Sequence, residues 1–395
     1  MASIARKNLL EDIPRFLVAQ AGILFAVSLV TIQTGLQYGF ARSSSQLIDQ
    51  SRADIWVSSK NMQHLGLTIP IPYEQVTKAR KVAGVDKAEG VIIDGALWHE
   101  LQTDEITSVT LVGADPQGML FDRSTIVAGS FNDLKQPFRF IIDKTGLDGI
   151  HLKSLGEVGE INNIGAKLVG FTQGTQSIIF GTLMFTSLET ANTYRNYGSQ
   201  TTASPTNVGT SAKKPTSTDQ ISFVLIRAKP GQNISKLKRD LEQALPDTRA
   251  YTRQEMSKIT QVYWQERSGI GFILGLGAVV GVVVGAVVVS QILYASVTDH
   301  IKEFGTLKAM GASDWFIYNV IIEQALWMAI LGYLPGIALC LGVAAWTSTA
   351  QGIVILITPI SAATVFGITV LMCVSSAVFA IQKVTRVDPA IVFKG

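Results

Sequence analysis

Apolar residues are concentrated in four long segments of the chain. A helix needs about 20 mostly apolar residues to cross a bilayer, and each segment reaches that length. The segments are 16–40, 269–297, 315–346 and 353–381. Only the third contains a charged residue, Glu323. The pattern therefore predicts four transmembrane helices.

The first segment has a second interpretation, as a cleavable signal peptide. The apolar core of a signal peptide is usually about 7–15 residues long and follows basic residues. This segment is longer, and two acids, Glu11 and Asp12, precede it. We therefore expect an uncleaved membrane helix.

The intervening segment 41–268 has a different pattern. Short runs rich in β-branched and aromatic residues are typical of strands, and they recur at 53–58, 90–98, 108–112, 138–143, 166–172, 178–186 and 221–228. Apolar residues follow helical spacing in 72–82 and 234–244, whereas the polar, Gly- and Pro-containing stretch 196–218 predicts a flexible loop. The expected fold is an α-helical membrane protein with a large extracytoplasmic α+β domain inserted between helices 1 and 2.

Lys and Arg residues near the helix ends predict the orientation, because they favour the cytoplasmic side. Eight lie on one side of the predicted helices: Arg6, Lys7, Arg15, Lys302, Lys308, Lys383, Arg386 and Lys394. The opposite connection, 347–352, has none. We therefore expect 1–15, 298–314 and 382–395 in the cytoplasm and 41–268 on the other side of the membrane.

Charge is scarce in the whole chain. Its 33 Lys and Arg and 30 Asp and Glu give a net charge of +3, and charged residues are 16% of the sequence, compared with about 25% in soluble proteins. This small excess does not favour a polyanionic partner, so we expect no nucleic acid. Cys340 and Cys373 lie in apolar runs and fit buried membrane thiols.

Sequence motifs for catalysis are missing. The chain has no GxxxxGK[ST], no GxGxxG between a strand and a helix, no HExxH and no GxSxG. Its four histidines, at 64, 99, 151 and 300, are far apart in sequence. We therefore expect no catalytic residue, cofactor or metal in this chain, and the energy for any driven work would come from a partner.

The segment 298–314 predicts a short amphipathic helix at the membrane surface. Ile301, Phe304 and Leu307 fall at helical spacing, with Lys and Glu on the flanks. Such a helix is either a surface-lying connector or a docking element for a cytoplasmic protein. Glycines at 305 and 311 permit close backbone approach or a helix stop.

The second apolar segment carries Gly277, Gly281 and Gly285 at every fourth position. This small-xxx-small pattern lets two membrane helices approach closely. It fits homodimer packing and packing against another helix of the same chain equally well.

The residues before this segment also have a helical pattern. Met256, Ile259 and Val262 share one stripe, and 251–268 contains no strong helix breaker. We expect the second membrane helix to extend outward through these residues as a stalk, matched by an extension of the first helix.

Several stretches resemble the MacB/FtsX-like (type VII) permease family of ABC transporters. VTDHIKEFGTLKAMGAS (297–313) is similar to the family's coupling-helix region, of the form E-x-G-x-x-[KR]-A-x-G-A. VTRVDPAIVFK (384–394) is similar to the family's C-terminal ending. VTLVGADP (109–116), GEVGEINNIGAKLVGF (156–171) and FVLIRAKPG (223–231) resemble its periplasmic core. Within the family, the chain is similar to the DevC-like permeases of cyanobacterial glycolipid exporters.

The resemblance implies a permease of the bacterial inner membrane that exports a lipid or glycolipid. It implies a separate ATPase subunit that binds the ATP, a periplasmic membrane-fusion adaptor, a TolC-like outer-membrane channel and a permease homodimer. The implied ATPase-coupling residues are Glu303, Phe304, Gly305, Leu307, Lys308, Met310 and Gly311.

Three other functions stay open at this point. FtsX-like relatives use the same layout to regulate a cell-wall hydrolase, and other relatives release lipoproteins from the membrane. The third alternative, a membrane-anchored enzyme, is disfavoured because no catalytic motif is present.

Overall fold

The computed structural model describes residues 13–197, 211–267, 269–350 and 354–385. The chain divides into two compact units. The helical unit contains 1–39, 269–348 and 354–395, and the sheet unit contains 40–268 with 349–353.

The described residues form helices and strands in the order that the sequence pattern predicts, with several additions. The helices are α1 Ile13–Gln50, α2 Glu74–Ala79, α3 Leu188–Tyr197, α4 Ile234–Ala244, α5 Arg253–Val262, α6 Ile270–Asp299, α7 Ile301–Ala309, α8 Asp314–Ala350 and α9 Pro359–Thr385. The strands are β1 Ile55–Ser59, β2 Ile71–Pro72, β3 Val85–Glu100, β4 Glu105–Ala114, β5 Ile126–Ala128, β6 Arg139–Asp143, β7 Val158–Ile161, β8 Ile164–Thr172, β9 Leu183–Ser187, β10 Gln220–Ile221, β11 Phe223–Ala228 and β12 Thr248–Thr252.

Helices α1, α6, α8 and α9 are long and apolar enough to cross a membrane. They correspond to the four predicted apolar segments, so the expected fold class is confirmed. Much of the predicted N-terminal segment 1–15, of the loop 196–218 and of the tail 382–395 lies outside the described residues.

The sheet unit is built on a ten-stranded sheet with the order β12-β1-β11-β3-β4-β9-β6-β8-β5, and β7 pairs with β3 and β8. Strand β3 is 16 residues long; its first half pairs with β11 and its second half with β4. Most pairs are antiparallel, but β4–β9 and β6–β8 are parallel.

Both faces of this sheet are buried. In β1, Ile55 and Val57 belong to one apolar cluster, while Trp56 between them belongs to another. In β6, Phe140 and Ile141 alternate in the same way. Because successive strand residues point to opposite faces, a strand buried on both sides is apolar without interruption, which explains the unbroken apolar runs in the sequence.

The predicted elements of this unit differ from the structure in several places. The predicted helix 72–82 covers only Glu74–Ala79, and Pro72 belongs to β2. The run 178–186 becomes a strand only from Leu183. Helix α3 was not expected, since its sequence LETANTYRNY is mostly polar and has only a short apolar stripe of Leu188, Ala191 and Tyr194. Part of the predicted flexible loop is held in place, because the main-chain nitrogen of Lys213 donates to the Thr193 hydroxyl at 2.9 Å.

The predicted continuous stalk before the second membrane helix is wrong. Helix α5 ends at Val262 and is followed by a π-helical turn, Tyr263–Arg267. Gly269 then has φ +74° and no helical conformation, and α6 begins at Ile270. A left-handed residue interrupts the helical hydrogen bonds, and glycine adopts this conformation without a Cβ penalty. The predicted extension of the first membrane helix is present, because α1 is continuous through Gln50.

Candidate functional site

The segment between the second and third membrane helices contains the short helix α7, within the region that the sequence singled out. Phe304 is only 3% exposed and packs in the apolar cluster of the helical unit with Ile317 and Val320 of α8. Leu307 packs against the same cluster, and Gly305 is buried. Fully burying a side chain of this size stabilises by about 1.5–3 kcal/mol. Phe304 thus ties α7 to the membrane helices.

The opposite face of α7 is open. Glu303 and Thr306 are exposed, and Met310 just beyond the helix has 72% of its surface exposed. Positions 303, 306 and 310 are three and four residues apart, so they share one helix face. Lys308 is half-buried, and the side chain of Lys302 lies outside the described residues. The helix therefore presents an acid, a hydroxyl and a flexible apolar side chain on one side.

A specific hydrogen-bond motif ends α7. The nitrogen of Ala312 donates to the Leu307 carbonyl and that of Gly311 to the Lys308 carbonyl, both at 2.9 Å. These two bonds define a Schellman motif, which needs a left-handed residue after the helix. Gly311 supplies it with φ +95°. The glycine thus fixes both where α7 ends and the direction in which the chain enters α8.

The glycine stripe of α6 faces α1 of the same chain. A Cβ on Gly277 would lie 2.7 Å from the Gln33 amide nitrogen, and one on Gly281 would lie 3.0 Å from Leu29. One on Gly285 would lie 2.6 Å from the Ala26 Cβ. The stripe is therefore an internal packing surface, the second of the two interpretations that the sequence left open.

Polar contacts add to this helix packing. The Ser376 hydroxyl of α9 donates to the Ala286 carbonyl of α6 at 2.9 Å, and the Tyr333 hydroxyl of α8 donates to the Ala362 carbonyl of α9 at 2.9 Å. Arg15 of α1 forms an ion pair with Asp299, the last residue of α6. The end of α6 that leads into α7 is thus linked to the start of α1.

The described residues contain no group of three or more His, Cys, Asp or Glu side chains arranged to hold a metal ion. Cys340 and Cys373 are both buried free thiols. The features that distinguish the described part of the helical unit are a docked short helix, close helix contacts and an open polar face.

These features define a class of protein: a multi-pass membrane protein with an α/β domain inserted after its first helix. Residues 16–244, more than half of the chain, match the family MacB-like periplasmic core domain. Residues 275–389 match FtsX-like permease C-terminal. The chain belongs to the MacB/FtsX-like family of ABC transporter permeases, and most of its sheet unit lies within the match to the MacB-like periplasmic core domain.

Individual relatives are distant. The probable export ATP-binding/permease protein MacB of Pseudomonas entomophila is 21% identical over 333 residues, which cover 82% of this chain and 47% of that protein. The macrolide export ATP-binding/permease protein MacB 2 of Yersinia pestis is 28% identical over 230 residues, 58% of this chain and 31% of that protein. The chain spans less than half of the length of these relatives.

A similar solved structure is the periplasmic region of MacB from Actinobacillus actinomycetemcomitans. Its TM-score is 0.38 at 11% identity, and the match covers 53% of this chain and 94% of that one.

Proposed function

We propose that this chain is the permease subunit of a tripartite ABC exporter. A separate cytoplasmic ATPase subunit binds and hydrolyses ATP, and the permease couples that cycle to movement of its periplasmic domain. The observation that supports this proposal most directly is α7, a short helix buried on its Phe304 side and open on its Glu303 side. A docking helix needs both an anchor and a free face.

In this proposal the ATPase contacts the open face of α7 and displaces the helix. Because Phe304 packs with α8 residues, and because α7 follows α6 after a single residue, displacement of α7 acts on both membrane helices. Packed interiors resist continuous deformation and respond by discrete shifts. The ATP cycle would thereby reach α6, the membrane helix that follows the periplasmic domain in sequence.

The partners proposed outside the cytoplasm are a membrane-fusion adaptor and a TolC-like outer-membrane channel. We also propose a permease homodimer. Since Gly277, Gly281 and Gly285 are occupied by contacts within the chain, the dimer would use another surface. The protein would lie in the bacterial inner membrane with both termini in the cytoplasm, as the basic residues favour.

The proposed cargo is a lipid or glycolipid, as in DevC-like cyanobacterial exporters. Support for this subtype comes from overall sequence resemblance. Lipid analysis of the outer membrane after removal of the chain tests it: loss of one lipid class supports the cargo, and an unchanged lipid profile contradicts it.

Docking on α7 is tested by Glu303→Arg and Met310→Asp. Both side chains are exposed, so the fold should tolerate the changes. We expect roughly tenfold weaker co-purification of the ATPase, because loss of one interface contact of about 1.4 kcal/mol has that effect. Ser348→Arg, at an exposed position near the far end of α8, is the matched control. Unchanged ATPase association in both variants contradicts the docking role.

Gly305→Trp is a different kind of test. Gly305 is buried, so a tryptophan there would displace α7 from the helix bundle before it could affect a docking surface. We therefore expect this variant to lose stability as well as ATPase association.

A further inference from the structure

The sheet unit has an open groove of about 800 Å³ beside its edge strand β12. One wall is the face of α4 that carries Lys238, Arg239 and Glu242. The other wall is the face of α5 that begins with Glu255, and the π-helical turn 263–267 closes one end. None of the residues that line the groove is in α7 or in the glycine stripe of α6.

The groove is strongly basic. Its lining includes two acids, Glu242 and Glu255, and five basic residues: Lys238, Arg239, Arg249, Lys258 and Arg267. Both acids have partners within the protein. Glu255 forms an ion pair with Lys238, and Glu242 accepts a hydrogen bond from the Ala250 nitrogen at 3.0 Å.

The other four basic residues have no carboxylate partner among the residues that the structure describes. Arg249 lies over the ring of Tyr251, 5.6 Å from its centre, and Arg267 donates to the Gln63 side-chain oxygen at 3.0 Å. Neither contact neutralises the positive charge. The groove therefore holds an excess of cations that an anion would balance.

An apolar strip runs along the same groove. Lys258, Ile259 and Val262 line it together, and their spacing of one, three and four residues places them on one face of α5. Ile259 and Val262 are only half-buried, and Tyr263 continues the strip. Most of the charged lining residues lie on α4 and on α5 as far as Lys258, with Arg249 on β12 and Arg267 in the π-helical turn, whereas the last turn of α5 lines the groove with Ile259 and Val262. This arrangement matches a ligand with an anionic head and an apolar chain.

A peptide strand added to β12 would be another occupant for a sheet edge. The structure disfavours it, because the Glu242 carboxylate already caps the outward-facing nitrogen of Ala250. Occupied edge donors and charged side chains are the means by which proteins block strand addition. A compact amphiphile needs no such backbone contacts.

We propose that this groove binds an anionic amphiphile, a molecule that joins a phosphate, sulfate or carboxylate head to an acyl or alkyl chain. The head lies between Arg239 and Lys258, and the chain lies along Ile259 and Val262. The site is a property of the sheet unit alone and does not depend on the proposed transport cycle. Its end borders the turn that precedes Gly269 and the start of α6.

The test uses the full chain in a nonionic detergent and follows the ³¹P NMR linewidth of three probes. These are dihexanoyl phosphatidylglycerol, dihexanoyl phosphatidylcholine and inorganic phosphate. We expect the anionic lipid to bind more tightly than the zwitterionic lipid and more tightly than phosphate. In Arg239→Gln/Lys258→Gln, we expect about tenfold weaker binding of the anionic lipid, as expected for loss of two exposed charge interactions.

The matched control is Lys144→Gln/Lys236→Gln, which removes the same charge from exposed positions outside the groove. It should bind like the wild type. Val262→Ser should weaken lipid binding without changing phosphate binding. Equal lipid binding by the groove double variant and the control overturns the proposal. Phosphate binding as tight as that of the anionic lipid also overturns it, since the site would then recognise a free anion.

Discussion

The packing of α6 against α1 gives a sharp prediction at Gly285. An alanine Cβ at this position would lie 2.6 Å from the Ala26 Cβ and 2.7 Å from the Met372 sulfur. Non-bonded carbons prefer about 3.5–4.0 Å. The methionine is flexible and can turn away, but Ala26 Cβ is bonded directly to the backbone of α1. We therefore expect Gly285→Ala to force α1 and α6 apart by about 1 Å.

The matched control is Gly275→Ala in the same helix. A Cβ at Gly275 would meet nothing within 4 Å. Both substitutions gain the same helix propensity, about 1 kcal/mol, so this contribution cancels when the two variants are compared. What remains is the overpacking at Gly285, which typically destabilises by about 1–3 kcal/mol.

The assay is unfolding of the full chain by SDS in dodecyl maltoside micelles, followed by helical circular dichroism. We expect Gly285→Ala to unfold at lower SDS than Gly275→Ala, and Gly275→Ala to unfold at or slightly above the wild-type midpoint. Equal midpoints for the two variants would refute the reasoning, because they would mean that no close contact exists at Gly285.

Three further predictions follow from other residues. The carboxylates of Asp104 and Glu160 accept hydrogen bonds from the His99 ring and raise its pKa. The stabilising contribution of His99 is therefore complete below about pH 6.5 and is lost as pH rises through the raised pKa; the urea midpoint of wild type should exceed that of His99→Gln by more at pH 6 than at pH 8. Gly311→Val should destabilise the end of α7 by about 1–2 kcal/mol, since valine disfavours a left-handed backbone, and faster hydrogen exchange of the Schellman amides would show it. Asp143 is buried and accepts from three backbone nitrogens; Asp143→Ala should lower the free energy of unfolding by about 2–4 kcal/mol, and an unchanged urea midpoint would contradict this.

Sequence pattern predicts those elements whose apolar periodicity is strong. Helix α4 was expected at 234–244 and lies there, because its apolar stripe and its Asn233 cap are both local signals. In helix α3 the apolar stripe is limited to Leu188, Ala191 and Tyr194. The polar residues Thr190 and Asn192 are also buried in the folded domain, which the sequence pattern does not indicate. The sequence could not show that the helix is interrupted at Gly269 and not at another glycine of the segment. Gly269 differs from the glycines of α6 in its positive φ angle, which sequence pattern does not indicate.

At the candidate sites, too, sequence pattern predicts the elements but not the contacts between them. The amphipathic pattern of 298–314 indicates a short helix, but only the structure shows that Phe304 is its buried anchor and Met310 its exposed side chain. The glycine stripe fits two partners equally well in sequence, and tertiary contacts assign it to α1. The basic groove could not be found from sequence, because its residues come from several separate elements and resemble ordinary surface charges.

The central claim, that α7 couples this permease to an ATPase, is tested most directly by purifying the tagged full chain from its native membrane and identifying the proteins that accompany it. We predict an ABC ATPase, a membrane-fusion adaptor and an outer-membrane channel with the wild-type chain, and about tenfold less ATPase with Met310→Asp. Recovery of the wild-type chain without any ATP-binding protein would contradict the claim.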